Sequence, residues 1–142
     1  MSSFIEIQLK LTNEKMRFEG KAKDNPAVVL DSQPPFGDGD GYSSMELLLI
    51  SLASCSSATA VSILRKMKKQ VHGFFVLATG EKRMEHPMVF DKISLQFILE
   101  SDDTSEEELA KVLARTEEKY CPVWAMLKDS VRIVPEHTIR RG

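Results

Sequence analysis

Two cysteines, Cys55 and Cys121, are the residues of this sequence best suited to chemistry. A thiolate is a nucleophile and a redox group, so two thiols can form and break a disulfide during a reaction. Their wide separation in the sequence excludes a Cys-x-x-Cys redox motif and the paired spacing of a zinc finger. Only tertiary folding could bring them together. From the residues alone, they can be either a catalytic pair or two inert buried thiols.

Composition narrows the classes of partner. The 142 residues contain 19 Lys and Arg against 21 Asp and Glu, without a long run of one sign, which argues against nucleic acid and acidic membranes as partners. The segment Met1–Glu6 lacks the basic start and apolar stretch of a secretory signal, so we expect a cytoplasmic protein. In a reducing cytoplasm, Cys55 and Cys121 are not expected to form a permanent disulfide.

Metal and cofactor motifs are not evident in the sequence. His72, His86 and His137 are scattered without the spacing of a shared metal site, and the Gly37, Gly39 and Gly41 run does not match a phosphate-binding fingerprint. We therefore predict neither a metal nor a cofactor.

Cys55 is predicted to lie in the middle of a long helix. Ser43 and Glu46 have the spacing of a capping box, and helical character continues to about Lys69. The segment 47–64 carries no charge, but six serine and threonine residues make it too polar for a confident membrane span. The pattern favours a central helix buried inside the protein.

Cys121 is predicted to be the N-cap of a short helix. Pro122 disfavours helical geometry at the preceding residue and suits the first helical position. A thiol at a helix N-terminus, with Lys119 close in sequence, is expected to have a lowered pKa. From the residues alone, Cys121 is thus the better activated thiol, while Cys55 would need a side chain from elsewhere.

The remaining segments predict an α+β fold. Several segments alternate apolar and polar residues, which indicates strands. Thr104 or Ser105 is the predicted N-cap of a second helix with an acidic first turn. We predict one domain over residues 1–142, composed of N-terminal strands and a loop in 1–42, the central helix in 43–70, and strands and helices in 71–142. The predicted elements are a hairpin from Ile5–Leu11 and Met16–Phe18, a strand at Val28–Leu30, a loop over 33–42, a hairpin from Phe74–Ala78 and Phe90–Leu99, a helix with Leu109, Val112, Leu113 and Thr116 inside, and a last strand with Val131 and Ile133.

Two stretches taken together resemble the OsmC/Ohr family of osmotically induced and organic-hydroperoxide-resistance proteins. They run from Ser44 to Cys55, and from Lys119 to Val123 through Tyr120-Cys121-Pro122. The resemblance covers nearly the whole chain and is weakest in residues 1–40. It implies an OsmC-like intertwined homodimer, with antiparallel sheets packed around long buried central helices and two active sites at the interface.

The resemblance also implies a function, namely a thiol-dependent peroxidase for organic hydroperoxides in the response to oxidative or osmotic stress. Cys55 would be oxidised by the peroxide, Cys121 would resolve the resulting sulfenic acid, and a thiol or dithiol would reduce the bridge. In this assignment Cys55 reacts first, whereas the helix positions of the two cysteines predict that Cys121 is the better activated thiol. An apolar pocket would suit organic substrates. Its expected lining is Phe36, Leu52, Trp124 and Met126.

The sequence departs from the family pattern at two points. An arginine of the N-terminal turn is absent around Lys23, so that Lys23 or Arg17 would have to replace it, and an ungapped match places Met45 where a catalytic glutamate is expected. Glu46 is the candidate substitute for that glutamate. The alternative hypothesis is a catalytically silent dimeric protein that binds an apolar small molecule.

Overall fold

The computed structural model describes residues 3–142, which divide into two compact units that meet in sequence between Leu48 and Leu49. Met1 and Ser2, the start of the segment used to predict a cytoplasmic location, lie outside the described residues. Strands and helices are both present, so the α+β prediction is confirmed. The single-domain organisation over residues 1–142 stays a prediction.

The first unit contains a three-stranded antiparallel sheet. Its strands are β1 (Gln8–Leu11), β2 (Phe18–Lys21) and β3 (Val28–Leu30), in the order β1-β2-β3. The predicted hairpin is confirmed but shorter, because Ile5, Ile7 and Met16 lie outside the strands. The Asn13 side-chain oxygen accepts hydrogen bonds from the amides of Lys15 and Arg17 at 3.0 and 3.1 Å, and this turn includes Met16.

The long helix α1 (Ser44–Lys66) begins in the first unit and continues in the second. The predicted capping box is confirmed: the Ser43 amide donates to the Glu46 carboxylate at 2.8 Å, and the Glu46 amide donates to the Ser43 hydroxyl at 3.0 Å. The buried residues of α1 recur every four positions, which defines one narrow stripe along the helix. They are Leu52, Ser56, Ala60 and Leu64.

Helix α1 is long and apolar enough to cross a membrane, but only 22% of its apolar window is buried within this chain. A single such helix is weak evidence for a membrane protein, because a helix covered by another subunit can have the same composition. Within one chain the helix is therefore mostly not buried, which is consistent with the expected homodimer, in which a second subunit covers the central helix. A narrow stripe of α1 packs inward, whereas Ile50 is exposed and the other large apolar side chains of the helix are only partly buried.

The second unit contains a mixed three-stranded sheet of order β4-β5-β6. Strands β4 (Gly73–Lys82) and β5 (Phe90–Glu100) form the predicted antiparallel hairpin, and β6 (Arg132–Arg140) pairs with β5 in parallel. The expected antiparallel pairing thus holds for β1-β2-β3 and for β4-β5, and only the pairing of β6 with β5 departs from it. Parallel pairing arises because the chain crosses back through a long helical connection before β6 begins.

That connection consists of α2 (Glu106–Arg115), a π turn (Thr116–Tyr120) and α3 (Pro122–Leu127). Ser105 and Glu108 form a complete capping box at the start of α2. The buried stripes of α2, with its continuation into the π turn, and of β5 match the predicted periodicities and supply most of the core of this unit. These side chains are Leu109, Val112, Leu113, Thr116, Ile93, Leu95, Phe97 and Leu99.

Candidate functional site

Cys55 lies in the middle of α1, as predicted, and its side chain is partly exposed. Its carbonyl accepts a hydrogen bond from the Thr59 hydroxyl at 3.0 Å, one turn further along the helix. The neighbouring Ser56 hydroxyl likewise donates to a carbonyl one turn away, that of Leu52, at 2.8 Å. These hydroxyls bond to the backbone of their own helix, so the polar residues around Cys55 are compatible with a packed surface.

Cys121 occupies the break between the π turn and α3. It is the N-cap of α3, with extended backbone at φ −89° and ψ 106° and Pro122 at the first helical position, as the sequence predicts. The Cys121 amide donates to the Thr116 carbonyl at 3.0 Å, and this bond closes the π turn. The side chain is only 1% exposed. A break in the helix thus points a thiol into the interior of the second unit.

The fold makes these two distant thiols neighbours. The Cys55 thiol contributes to a raised pKa of the Cys121 thiol, so the two side chains lie close together. Both cysteines are free in this structure. The arrangement can support disulfide chemistry because a sulfur oxidised at one position has a second thiol beside it.

The expected low pKa of Cys121 is wrong. Burial raises the pKa of its thiol to about 11, the Cys55 thiol adds to the rise, and the amides of Trp124 and Val123 only partly oppose it. Lys119 does not help, because its ammonium group lies over the Tyr120 ring, 5.3 Å from the ring centre. At this position the rise in the pKa of Cys121 caused by burial is therefore larger than the decrease caused by the helix N-terminus.

The proposed substitutes for the glutamate and arginine of the family have other roles within the first unit. The Glu46 carboxylate accepts from the Ser43 amide in the capping box. The Arg17 guanidinium donates to Glu19 at 3.0 Å and to the Thr12 hydroxyl at 3.2 Å. Lys23 is exposed and has a positive φ of 56°. The side chains of Glu46 and Arg17 thus each have a local structural explanation.

The four predicted pocket residues differ in their surroundings. Leu52 and Trp124 are fully buried in the core of the chain, whereas Met126 is 72% exposed and Phe36, in the first unit, is 75% exposed. None of the four lines a cavity of about 530 Å³ in the second unit. We call this cavity the Arg115 pocket. It is lined by Ala58, Thr59, Ser62, Ile63, Lys66, Arg115 and Tyr120.

Sequence reasoning missed the Arg115 pocket because its lining comes from three elements, which are α1, α2 and the π turn. Thr59, Ser62 and Lys66 are spaced three and four residues apart, and this spacing predicts that they lie on one face of α1. Arg115 and Tyr120 face them from the end of α2 and the π turn, and only tertiary packing makes that juxtaposition. The pocket begins one turn from Cys55 and includes the residue before Cys121.

A second cluster that the sequence did not reveal is acidic. Carboxylate oxygens of Asp31, Asp38 and Asp40 lie within 4.8 Å of one another. The buried Asp31 carboxylate accepts hydrogen bonds from the amides of Ser32, Asp38 and Asp40, and these bonds hold its pKa below the usual range although burial opposes the shift. Lys15 pairs with Asp38 at 2.7 Å. These contacts explain the cluster as the organiser of the loop after β3.

Comparison with known proteins places this geometry in a family. The model of the OsmC-like protein family matches residues 37–136, which include both cysteines. Protein YhfA of Escherichia coli is 32% identical over 127 residues, covering 89% of this chain and 92% of YhfA.

Solved structures share the fold over nearly the full length. A hypothetical protein from Aquifex aeolicus has a TM-score of 0.87 with 26% identity, covering 99% of both chains. An organic hydroperoxide resistance protein OsmC from Legionella pneumophila has a TM-score of 0.71 with 12% identity, covering 96% of this chain and 99% of its own. At that identity the second likeness shows the fold alone. Family members are typically homodimers. The matches to the family model and to YhfA establish that this chain belongs to the OsmC-like protein family.

Proposed function

We propose that this protein is a thiol-dependent peroxidase that reduces organic hydroperoxides with Cys55 and Cys121. The observation that carries the proposal is the pair of free, neighbouring thiols that two separate elements bring together. Membership of the OsmC-like family supports it, as does the name of the Legionella neighbour, an organic hydroperoxide resistance protein. We further propose a role in the response to oxidative or osmotic stress, which the family membership supports.

Cys55 is the thiol proposed to attack the peroxide, because it is partly exposed while Cys121 is buried. The Cys55 thiolate attacks one peroxide oxygen, the O–O bond breaks, and the alkoxide takes a proton and leaves as an alcohol. The Cys55 sulfur keeps the other oxygen as a sulfenic acid. In this step the sulfur is oxidised by two electrons and the hydroperoxide is reduced by two.

Cys121 is proposed to resolve the sulfenic acid. Its deprotonated sulfur attacks the Cys55 sulfur, the S–O bond breaks, and the oxygen leaves as water once it has been protonated. A disulfide between Cys55 and Cys121 results. An external thiol or dithiol then reduces the bridge by thiol–disulfide exchange and is itself oxidised, which restores the starting thiols. We place this cycle in the cytoplasm, where such reductants keep protein thiols reduced.

A second copy of the chain is proposed to complete the assembly. Most of the apolar window of α1 is open within one chain, and family members are typically homodimers. A self-complementary interface along α1 would remove these side chains from water. Sedimentation velocity should then give a dimer, and a monomer at micromolar concentration would contradict this part of the proposal.

Intact-mass measurement after stoichiometric oxidation tests the chemistry. One equivalent of cumene hydroperoxide should remove two hydrogens from the reduced protein, and peptide mapping should locate the bridge between Cys55 and Cys121. The same treatment of Cys121→Ser should leave a dimedone-reactive sulfenic acid at Cys55. Thiols that stay unchanged with excess hydroperoxide would contradict the peroxidase and favour the alternative, a silent binding protein for an apolar small molecule.

A further inference from the structure

The buried face that runs from α2 into α3 changes its spacing at the π turn. Up to Thr116, the buried side chains follow the three- and four-residue spacing of one side of an α-helix. The next buried residue, Cys121, lies five residues beyond Thr116, and Tyr120, which an α-helix would place on that face, is 45% exposed. The π turn therefore moves the buried face from position 120 to position 121. Over residues 109–124 this face consists of Leu109, Val112, Leu113, Thr116, Cys121 and Trp124.

A backbone hydrogen bond accounts for this shift. The Cys121 amide donates to the Thr116 carbonyl at 3.0 Å, so the bond closes over five residues, whereas an α-helix closes over four. The wider turn takes up one extra residue. Because of that residue, Cys121 rather than Tyr120 reaches the side of the helix that lies close to Cys55.

Thr116 is the fixed end of the π turn. Its side chain is fully buried, and its hydroxyl donates to the Val112 carbonyl at 2.9 Å. Its amide donates to the carbonyls of Val112 and Leu113. A threonine hydroxyl that bonds one turn back in this way often bends a helix. Thr116 therefore connects the regular end of α2 to the carbonyl that holds the Cys121 amide.

Packing alone does not require the Thr116 hydroxyl, since a valine at this position would be buried as well. A buried hydroxyl without a partner costs free energy, whereas one that has its partner fixes the orientation of the groups that it joins. The hydroxyl of Thr116 has such a partner within its own helix. Its expected effect is thus on the direction of the chain at the π turn, immediately before the buried thiol.

We propose that Thr116 is a positioning residue for the resolving thiol, and that its hydroxyl holds the π turn in the geometry that keeps the Cys121 sulfur beside Cys55. This inference rests on the proposed function, because it concerns the step in which the Cys121 sulfur attacks the Cys55 sulfenic acid. In that step the S–S bond forms, the S–O bond breaks and the oxygen leaves as water. Thr116 acts through the backbone of Cys121, so loss of its hydroxyl slows this step and leaves the oxidation of Cys55 unchanged.

Single-turnover oxidation of the reduced full-length protein measures the two steps separately. Loss of one equivalent of cumene hydroperoxide reports the oxidation of Cys55, and acid quenching followed by intact-mass analysis reports the Cys55–Cys121 bridge. Thr116→Val should keep the first rate and slow bridge formation about tenfold, because a small displacement of a reacting atom strongly affects an intramolecular step. Dimedone should then trap more sulfenic acid at Cys55 than in wild type. Thr116→Ser keeps the hydroxyl and should form the bridge within about twofold of the wild-type rate.

Thr104→Val is the matched control, because Thr104 is also fully buried and its hydroxyl forms a 2.9 Å hydrogen bond with that of Ser101, outside the π turn. This variant should form the bridge at the wild-type rate. Thr116→Ala removes the same hydroxyl with a strong helix former, and it replaces Thr116→Val if that variant does not fold. A wild-type bridge rate in the folded variant without the hydroxyl, or an equal loss in Thr104→Val, would overturn the proposal.

Diamide, a thiol oxidant, separates this inference from the peroxidase itself. The Cys55 thiolate adds to diamide, the Cys121 sulfur then attacks the Cys55 sulfur, and diamide leaves as a hydrazine reduced by two electrons. A wild-type bridge with diamide but not with hydroperoxide would contradict the peroxidase alone, and the diamide rates of the Thr116 variants then decide the positioning role. Equal diamide rates in wild type and the folded variant without the hydroxyl would contradict the positioning role alone. No bridge with either reagent in the wild type would contradict both.

Discussion

The two helical regions that supply the thiols are built in opposite ways. Helix α1 is continuous over 23 residues and carries Cys55 in its middle. The region α2–α3 is interrupted twice, by the π turn and by Pro122, and carries Cys121 at the second interruption. The continuous helix leaves its thiol partly exposed, whereas the broken one buries its thiol.

This difference suggests a division of labour between the thiols. A substrate from solvent can reach a partly exposed sulfur on a helix surface, but a sulfur that is 1% exposed is placed to meet only its neighbour. Cys121 is also held mainly in its neutral form by a pKa raised to about 11. We therefore expect the exposed thiol to react first and the buried thiol to react second, and the following predictions test that order.

The largest expected effect is on turnover. Cys55→Ser should lower hydroperoxide consumption at least about a thousandfold, because it removes the atom proposed to attack the peroxide. Cys121→Ser is the matched variant and should retain one rapid turnover, since only the second step is lost. Stopped-flow measurement of peroxide loss with limiting and excess hydroperoxide distinguishes the two. Equal first turnovers in wild type and Cys55→Ser would reverse the proposed order.

The next effect concerns the two faces of α1. Leu52 is fully buried, so Leu52→Ala should cost about 2–5 kcal/mol of the free energy of unfolding, measured in urea at fixed protein concentration. Leu109→Ala should cost a similar amount, because Leu109 is equally buried in α2.

Ile50→Ala is the control on the open face of α1, where the side chain is 48% exposed. This change should weaken self-association in sedimentation velocity and affect unfolding less than Leu52→Ala. A cost below about 1 kcal/mol for Leu52→Ala would show that the stripe of α1 is not part of the core.

The starts of the helices in these regions could be predicted from residues that are neighbours in the sequence. The capping boxes of Ser43 with Glu46 and of Ser105 with Glu108 were readable because both partners lie within one turn. The position of Cys121 as an N-cap follows from Pro122 alone. Such features depend on a few neighbouring residues, so one sequence is sufficient to find them.

Properties that depend on distant residues could not be predicted in the same way. The parallel pairing of β6, the approach of Cys55 to Cys121 and the lining of the Arg115 pocket each join separate segments. The burial of Cys121 also reversed an expectation drawn from its helix position. Leu52 and Trp124 had the residue types of a substrate pocket, but apolar side chains serve a core equally well.

The rate of bridge formation should depend on pH through the buried thiol. The Cys121 thiolate is the resolving nucleophile, and its pKa of about 11 lies well above neutral pH. The thiolate fraction, and with it the rate of disulfide formation after oxidation of Cys55, should rise about tenfold from pH 7.5 to 8.5. Acid quenching followed by intact-mass analysis measures this rate. A rate that does not change over this interval would require a base that deprotonates Cys121 during the reaction.

The smallest expected effect compares the first turns of α1 and α2. Glu46 and Glu108 occupy the same capping-box position, but Glu108 also forms an ion pair with Lys69 at 2.8 Å. The hydrogen bond from Lys69, followed by those from Ser105, lowers the pKa of Glu108 to about 2. Because the folded pKa lies below the ordinary value of 4.5, the stabilisation is present above about pH 4.5 and is lost as the pH falls toward 2.

Glutamine can keep the capping-box hydrogen bond while removing the charge, so Glu108→Gln isolates the ion pair and Glu46→Gln is its matched control. Glu108→Gln should lower the urea midpoint at pH 6 and reduce the loss of stability between pH 6 and pH 3. Glu46→Gln should change the midpoint less, and 0.5 M salt should shrink the difference between the variants. Equal midpoints for the two variants at pH 6 in low salt would mean that the Lys69 ion pair adds nothing to the cap, so that the starts of α1 and α2 are energetically alike.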